Sequence, residues 1–100
     1  MDGVIALALK TLPFDAEDAL DTPKAQAELL EDALASGDPR IVTAALGMIA
    51  RARGIAKVAE ETGLSREALY KATGPEGNPT LATLMGILRA TGLKLSAKAG

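Results

Sequence analysis

Three times in this chain a capping residue stands directly before a proline, at Thr22-Pro23, Asp38-Pro39 and Asn78-Pro79. Such a pair marks a helix start: the side-chain oxygen accepts an orphan backbone N–H, and the fixed φ of proline suits the first helical position. Gly37, Gly54, Gly63 and Gly92 supply the matching stops, because glycine tolerates the left-handed conformation that closes a helix. Between these marks the apolar residues recur with a helical period. The punctuation predicts five helices, over about 23–36, 38–53, 55–62, 65–73 and 79–91, with Ser65 capping the fourth and Asn78 the fifth.

The faces of these helices can be read from the same period. In the first, Leu29, Leu30, Ala33 and Leu34 share one side, against Glu28, Glu31 and Asp32 on the other, and Gln26 interrupts the stripe one turn earlier. The second carries Ile41, Val42, Ala45, Leu46, Met48, Ile49 and Ala52, a wide apolar arc that suits a central helix. In the fifth, Leu81, Leu84, Met85 and Leu88 follow the i, i+3, i+4, i+7 template. Residues 1–13 read as an extended arm, 15–20 as a short acidic turn or helix, and 14–100 as one domain. Residues 93–97 alternate apolar and polar, the pattern of a short terminal strand.

Composition narrows the fold class to all-α. Hydrophobic residues make up 48% of the chain, yet Phe14 and Tyr70 are its only rings. The core is therefore aliphatic, rich in the Ala and Leu that head the helix-propensity scale and poor in strand formers. With neither cysteine nor histidine, disulfides, zinc fingers and Ser-His or Cys-His catalysis are excluded. No Gly-rich phosphate loop or acidic metal motif appears, so no enzyme activity and no cofactor are expected. The apolar run at 4–9 is too short to span a bilayer and lacks a basic leader before it, which makes the cytoplasm the default location and a membrane no partner.

Charge is unevenly placed. Residues 1–50 hold nine acids against three bases, and residues 51–100 hold eight bases against four acids. A split of this kind hints at two surfaces with different partners, although the net charge of −2 by itself argues against nucleic acid.

The basic half contains the informative stretch, residues 55–72. Two short helices that cross steeply need a small residue where they touch, which Ala59 supplies. The tight turn between them needs positive φ, which Gly63 supplies four residues later. Val58, Leu64 and Leu69 fall where such a pair meets the rest of the domain. Together these are the marks of a helix-turn-helix. Placed in a major groove, its second helix turns Arg66, Glu67, Tyr70 and Lys71 towards base edges, while Ala68, Leu69 and Ala72 face inward. Arg66 suits guanine and Glu67 a cytosine amine. Arg51, Arg53, Lys57, Ser65 and the N–H groups at the start of the fifth helix near Asn78 are candidate phosphate contacts. The solvated alternative is that Glu67 and Lys71 merely form an i, i+4 pair. Counted from Pro39, the motif fills the second and third helices of the domain. That order resembles phage-repressor-like DNA-binding domains, with the helix from Pro23 as an N-terminal addition.

A closer resemblance rests on three runs: Ile49-Ala50-Arg51-Ala52-Arg53-Gly54, then Thr62-Gly63-Leu64-Ser65-Arg66-Glu67-Ala68-Leu69-Tyr70-Lys71, then Gly77-Asn78-Pro79. With Phe14-Asp15, Ala35-Ser36-Gly37-Asp38 and Gly92-Leu93-Lys94-Leu95, the chain resembles the addiction-module antidote proteins, the HigA-like antitoxins, from Lys10 onward. The resemblance implies an antitoxin that binds a RelE/ParE-type toxin and represses their shared operon through operator DNA. The chain departs from the family's pattern at Thr73-Gly74, where Leu-Ser is commoner, and at Leu81, where an aromatic is frequent. Both changes are expected to touch packing beside the recognition helix, not its exposed face. Toxins of this class are generally basic, so the acidic half, with Asp15, Glu17, Asp18, Asp21, Glu28, Glu31 and Asp32, is the expected steering surface. One short helix reads few base pairs, so a homodimer is expected, with segments 4–9 and 93–97 as candidate pairing elements. The competing readings are a stand-alone phage-type regulator and a protein-interaction module that has lost DNA binding.

Overall fold

The computed structural model describes residues 20–100. The expected arm over 1–13, the run 4–9 and nearly all of the acidic segment 15–20 lie outside the described residues. Among the described residues five helices and no strand form: α1 (Pro23–Ser36), α2 (Pro39–Arg53), α3 (Ile55–Thr62), α4 (Arg66–Ala72) and α5 (Leu81–Thr91). Residues 93–97 run without strand pairing, and their alternation reflects Leu93 packing on the core while Leu95 stays exposed.

Caps set the starts. The Thr22 hydroxyl accepts from the Ala25 N–H, and the Asp38 carboxylate accepts from the Arg40 N–H at 2.9 Å. The fifth helix begins differently from expectation. Thr80, not Asn78, is its cap, accepting from Thr83 N–H at 3.1 Å, so Leu81 is the first helical residue and Pro79 precedes the cap. Thr80 sits three residues before the N–H it captures, the spacing a hydroxyl cap needs, and this fixes the start two residues late.

The core is a single aliphatic cluster to which every helix contributes: Leu30 from α1, Leu46, Ile49 and Ala50 from α2, Val58 and Ala59 from α3, Leu69 from α4, Ile87 and Leu88 from α5. α2 packs against α1, α3 and α5, and α3 against α2, α4 and α5. α1 leans chiefly on α2 and α4 chiefly on α3, so the outer side of α4 is left to solvent.

Two expected faces are rotated. On α1 the buried line runs through Gln26, Leu30 and Ala33, while Leu34 is 45% exposed. Gln26 can enter the core because its amide nitrogen donates to the Leu20 carbonyl at 2.8 Å; its Oε1 has no partner among the described residues. On α5, Leu84, Ile87, Leu88 and Thr91 face inward, whereas Leu81 is 70% and Met85 54% exposed. The same i, i+3, i+4, i+7 template fits both sets, and packing on α2 and α3 selects the second.

A Thr-Gly pair closes α3 and α5 and directly follows α4, and each threonine turns its hydroxyl back on the carbonyl four residues earlier: Thr62 on Val58, Thr73 on Leu69, Thr91 on Ile87, at 2.8–2.9 Å. The hydroxyls are thereby satisfied inside an apolar core. Thr73 also meets α2 closely. A Cβ on the buried Gly47 would stand 3.2 Å from the Thr73 side chain, so α2 carries a glycine in mid-helix despite its poor propensity.

Gly47→Val should therefore overpack this contact and lower stability by about 1–3 kcal/mol, read from urea unfolding; an unchanged midpoint would mean that α2 and Thr73 have room to spare. A second expectation concerns acid. The Arg40 N–H holds the Asp38 carboxyl below its ordinary value, with the Arg40 guanidinium and the Ile41 N–H adding to this. The Asp38 contribution should be full above the ordinary carboxylate pKa and fade as pH falls through the lowered folded value. Asp38→Asn, which keeps a cap acceptor, should flatten that acid limb of the unfolding profile.

Candidate nucleic-acid interface

The link between α3 and α4 is a three-residue turn, Gly63 to Ser65. Gly63 adopts φ 78° and ψ 5°, and its N–H closes α3 on the Ala59 carbonyl at 3.0 Å. A side chain here would strain the backbone. The chain then turns through Leu64, which packs half-buried against the core, and Ser65 opens α4 by accepting the Ala68 N–H at 3.0 Å. Ala59 is 7% exposed, and Val58 and Leu69 are fully buried. Small residue, left-handed glycine and returning leucine thus meet at one crossing, the geometry of an all-α, helix-turn-helix-type domain.

With Leu69 pinned inward, the 3.6-residue period presents Arg66, Glu67, Tyr70 and Lys71 to solvent, all four exposed, with Ala68 and Ala72 half-buried. Glu67 and Lys71 form no ion pair, the sole pair among the described residues being Arg40 with Asp38. Lys57 is exposed on α3. Arg51, in the last turn of α2, places its guanidinium 5.7 Å from the Tyr70 ring centroid. This is within cation–π range. The fold thus brings Arg51 to the outer face of α4, a proximity of residues nineteen positions apart. Ser65 uses its oxygen as acceptor for the cap, which leaves its O–H to donate.

Arg53 lies elsewhere. Its guanidinium donates to the Thr91 carbonyl at 2.6 Å, tying the end of α2 to the end of α5. Asn78 is exposed in the loop before α5, but the helix N-terminus belongs to Thr80. A groove of about 410 Å³ runs beside α4, bordered by Lys71, Asn78, Thr80 and Thr83. Thr80 and Thr83 are donors that sequence patterning did not single out; the signal was the hydroxyl three residues ahead of a helical N–H. Of the two departures from the family pattern, Thr73 is a packing residue, whereas Leu81 lies on the surface.

No helix among the described residues is long and apolar enough to cross a membrane. The family described as "probable addiction module antidote protein" matches residues 10–99. A Haemophilus influenzae protein, described only as uncharacterized, is 38% identical over 81 residues, which are 81% of this chain and 84% of that protein. No solved structure matches.

Ala59→Leu should push α3 and α4 apart at their crossing and cost about 1–3 kcal/mol. A variant that melted at the wild-type temperature would show that Ala59 does not set the crossing.

Proposed function

This chain belongs to the addiction-module antidote family, and from that premise we propose that it neutralises a RelE/ParE-type toxin and represses its own operon through α3 and α4. The observation that carries the DNA half of this reading is the presentation of α4: Arg66, Glu67, Tyr70 and Lys71 are all exposed beside a fully buried Leu69. In this reading α2 to α5 form a phage-repressor-like domain, α1 is an addition, and the protein is HigA-like, cytoplasmic and non-enzymatic. α4 lies in the major groove, where Arg66 reads guanine, Glu67 accepts from cytosine, and Tyr70 and Lys71 complete the base contacts. Arg51, Lys57, Ser65 and Asn78 hold phosphates. Arg53, bonded to Thr91, acts on the domain's own packing.

Toxin binding falls to the acidic side. α1 exposes Glu28 and Asp32, and an acidic surface steers a basic toxin by charge complementarity. The exposed Glu60, Glu61 and Glu76 around the motif favour one competing reading, an interaction module without DNA affinity. A gel shift on the protein's own promoter separates the two, because an interaction module without DNA affinity gives no shift.

Arg66→Ala should weaken binding to the protein's own promoter by about 1–3 kcal/mol and relax preference at one base pair. Lys57→Ala should weaken binding on every sequence and lower the log–log salt slope by about one. Gel shifts over a salt series measure both, and unmoved affinity in both variants would remove α4 from the groove. In a toxin pull-down on the same proteins, Glu28→Lys with Asp32→Lys should slow capture while DNA affinity holds; the reverse pattern would exchange the two surfaces.

A further inference from the structure

Tyr70 carries the one aromatic ring among the described residues, and it is 46% exposed on α4. The core cluster is wholly aliphatic without it, so packing does not explain the ring. What lies against it is Arg51, whose guanidinium carbon stands over the ring at 5.7 Å from the centroid. The two residues belong to different helices, and α4 leans chiefly on α3, not on α2. The contact therefore reaches across the motif, from the last turn of α2 to the outer side of α4.

The two arginines in the last turn of α2 are used differently. Arg53 donates to the Thr91 carbonyl at 2.6 Å. Arg51 stays exposed and makes no ion pair among the described residues, although Glu67 is exposed on α4 one turn before Tyr70. The backbone of Arg51 is fixed, because the Gly54 N–H closes α2 on the Arg51 carbonyl at 3.2 Å. What remains to be ordered is the side chain, and a long cationic side chain loses much rotamer freedom when a partner fixes it. A flat guanidinium resting on a ring face is held by the ring quadrupole, yet keeps its N–H donors and its full charge. A carboxylate in the same place would neutralise it.

Resting on the reading of α4 as a groove-binding helix, we infer that Tyr70 is a positioning residue whose ring face holds Arg51 ready for a phosphate of the DNA backbone. Bases are read mainly from the N-terminal residues of such a helix, and Tyr70 stands one turn beyond Arg66, towards the groove wall where the phosphates lie. The hydroxyl and the ring of Tyr70 then have separate uses: the hydroxyl is left for a base edge, and the ring orders a cation carried by another helix. Recognition built in this way depends on α2 as well as on α3 and α4. The part of it that Tyr70 exerts through Arg51 is independent of base sequence.

Proton magnetic resonance of the full chain tests the pairing without DNA. The ring current should move the Arg51 side-chain protons upfield in wild type and in Tyr70→Phe, but not in Tyr70→Leu. Gel shifts on the promoter and on an unrelated duplex test what the pairing does. Tyr70→Leu should weaken binding to both duplexes about two- to fivefold, and Tyr70→Phe should recover the affinity lost on the unrelated one. Once Arg51→Ala is present, Tyr70→Leu should have no further effect on that duplex. A contact that served only the fold would lower the unfolding midpoint and leave both affinities in place, which would overturn the proposal. So would an unshifted Arg51, additive losses in the double variant, or a Tyr70→Leu loss confined to the promoter, which would make the ring a base reader. A wild type that shows the Arg51 shift but binds neither duplex would remove the DNA reading itself, and the role of Tyr70 with it.

Discussion

The conformation of Gly63 governs how the second half of the domain is arranged. Only a residue with φ near 78° can close α3 on the Ala59 carbonyl and send the chain back within three residues. That reversal returns Leu64 and Leu69 to the cluster around Val58, Ile49 and Ile87. Once Leu69 is buried, the rotation of α4 about its axis has no freedom left, and Arg66, Glu67, Tyr70 and Lys71 must face solvent. The outward chemistry of α4 is thus a consequence of an inward contact made by a residue that carries no functional group.

The second constraint is polar. An aliphatic core of this size tolerates hydroxyls and helix ends only when they are paired, and the chain pairs them with its own carbonyls. Thr62, Thr73 and Thr91 each bond back one turn, and the Arg53 guanidinium takes the Thr91 carbonyl. The last bond gives a structural use to an arginine that the sequence alone offers as a candidate phosphate contact. It joins α2, which brings Arg51 to Tyr70, to α5, which carries Leu81 and Met85.

Much of this was legible in the residues themselves, because the forces concerned are local. Caps act over two or three residues, a glycine turn over four, and the crossing of α3 and α4 over ten, so Thr22, Asp38, Ala59, Gly63 and Leu69 announce their roles by spacing. The near-absence of rings and the abundance of Ala and Leu dictate helices with no reference to their arrangement. Antidote-family membership and the exposure of Arg66, Glu67, Tyr70 and Lys71 were likewise readable from the residues alone.

Tertiary packing, and nothing nearer along the chain, selects which of several equivalent faces meets a neighbour. Leu34, Leu81 and Met85 satisfy the helical period as well as Leu30, Ile87 and Leu88 do, yet the first three stay outside. Period reports that a face is apolar, and says nothing of whether the same chain covers it. Gln26 shows the converse: a polar side chain enters the core because Leu20 happens to offer a carbonyl at 2.8 Å. Arg51 over Tyr70 and Arg53 on Thr91 are separated by 19 and 38 residues respectively, and pairings at that distance exist only after the helices have packed. The helices, their ends and the turn were written in the order of the residues, because the interactions that make them reach only a few positions. Which charges and which hydrophobic side chains remained for partners depended on how those helices packed on one another.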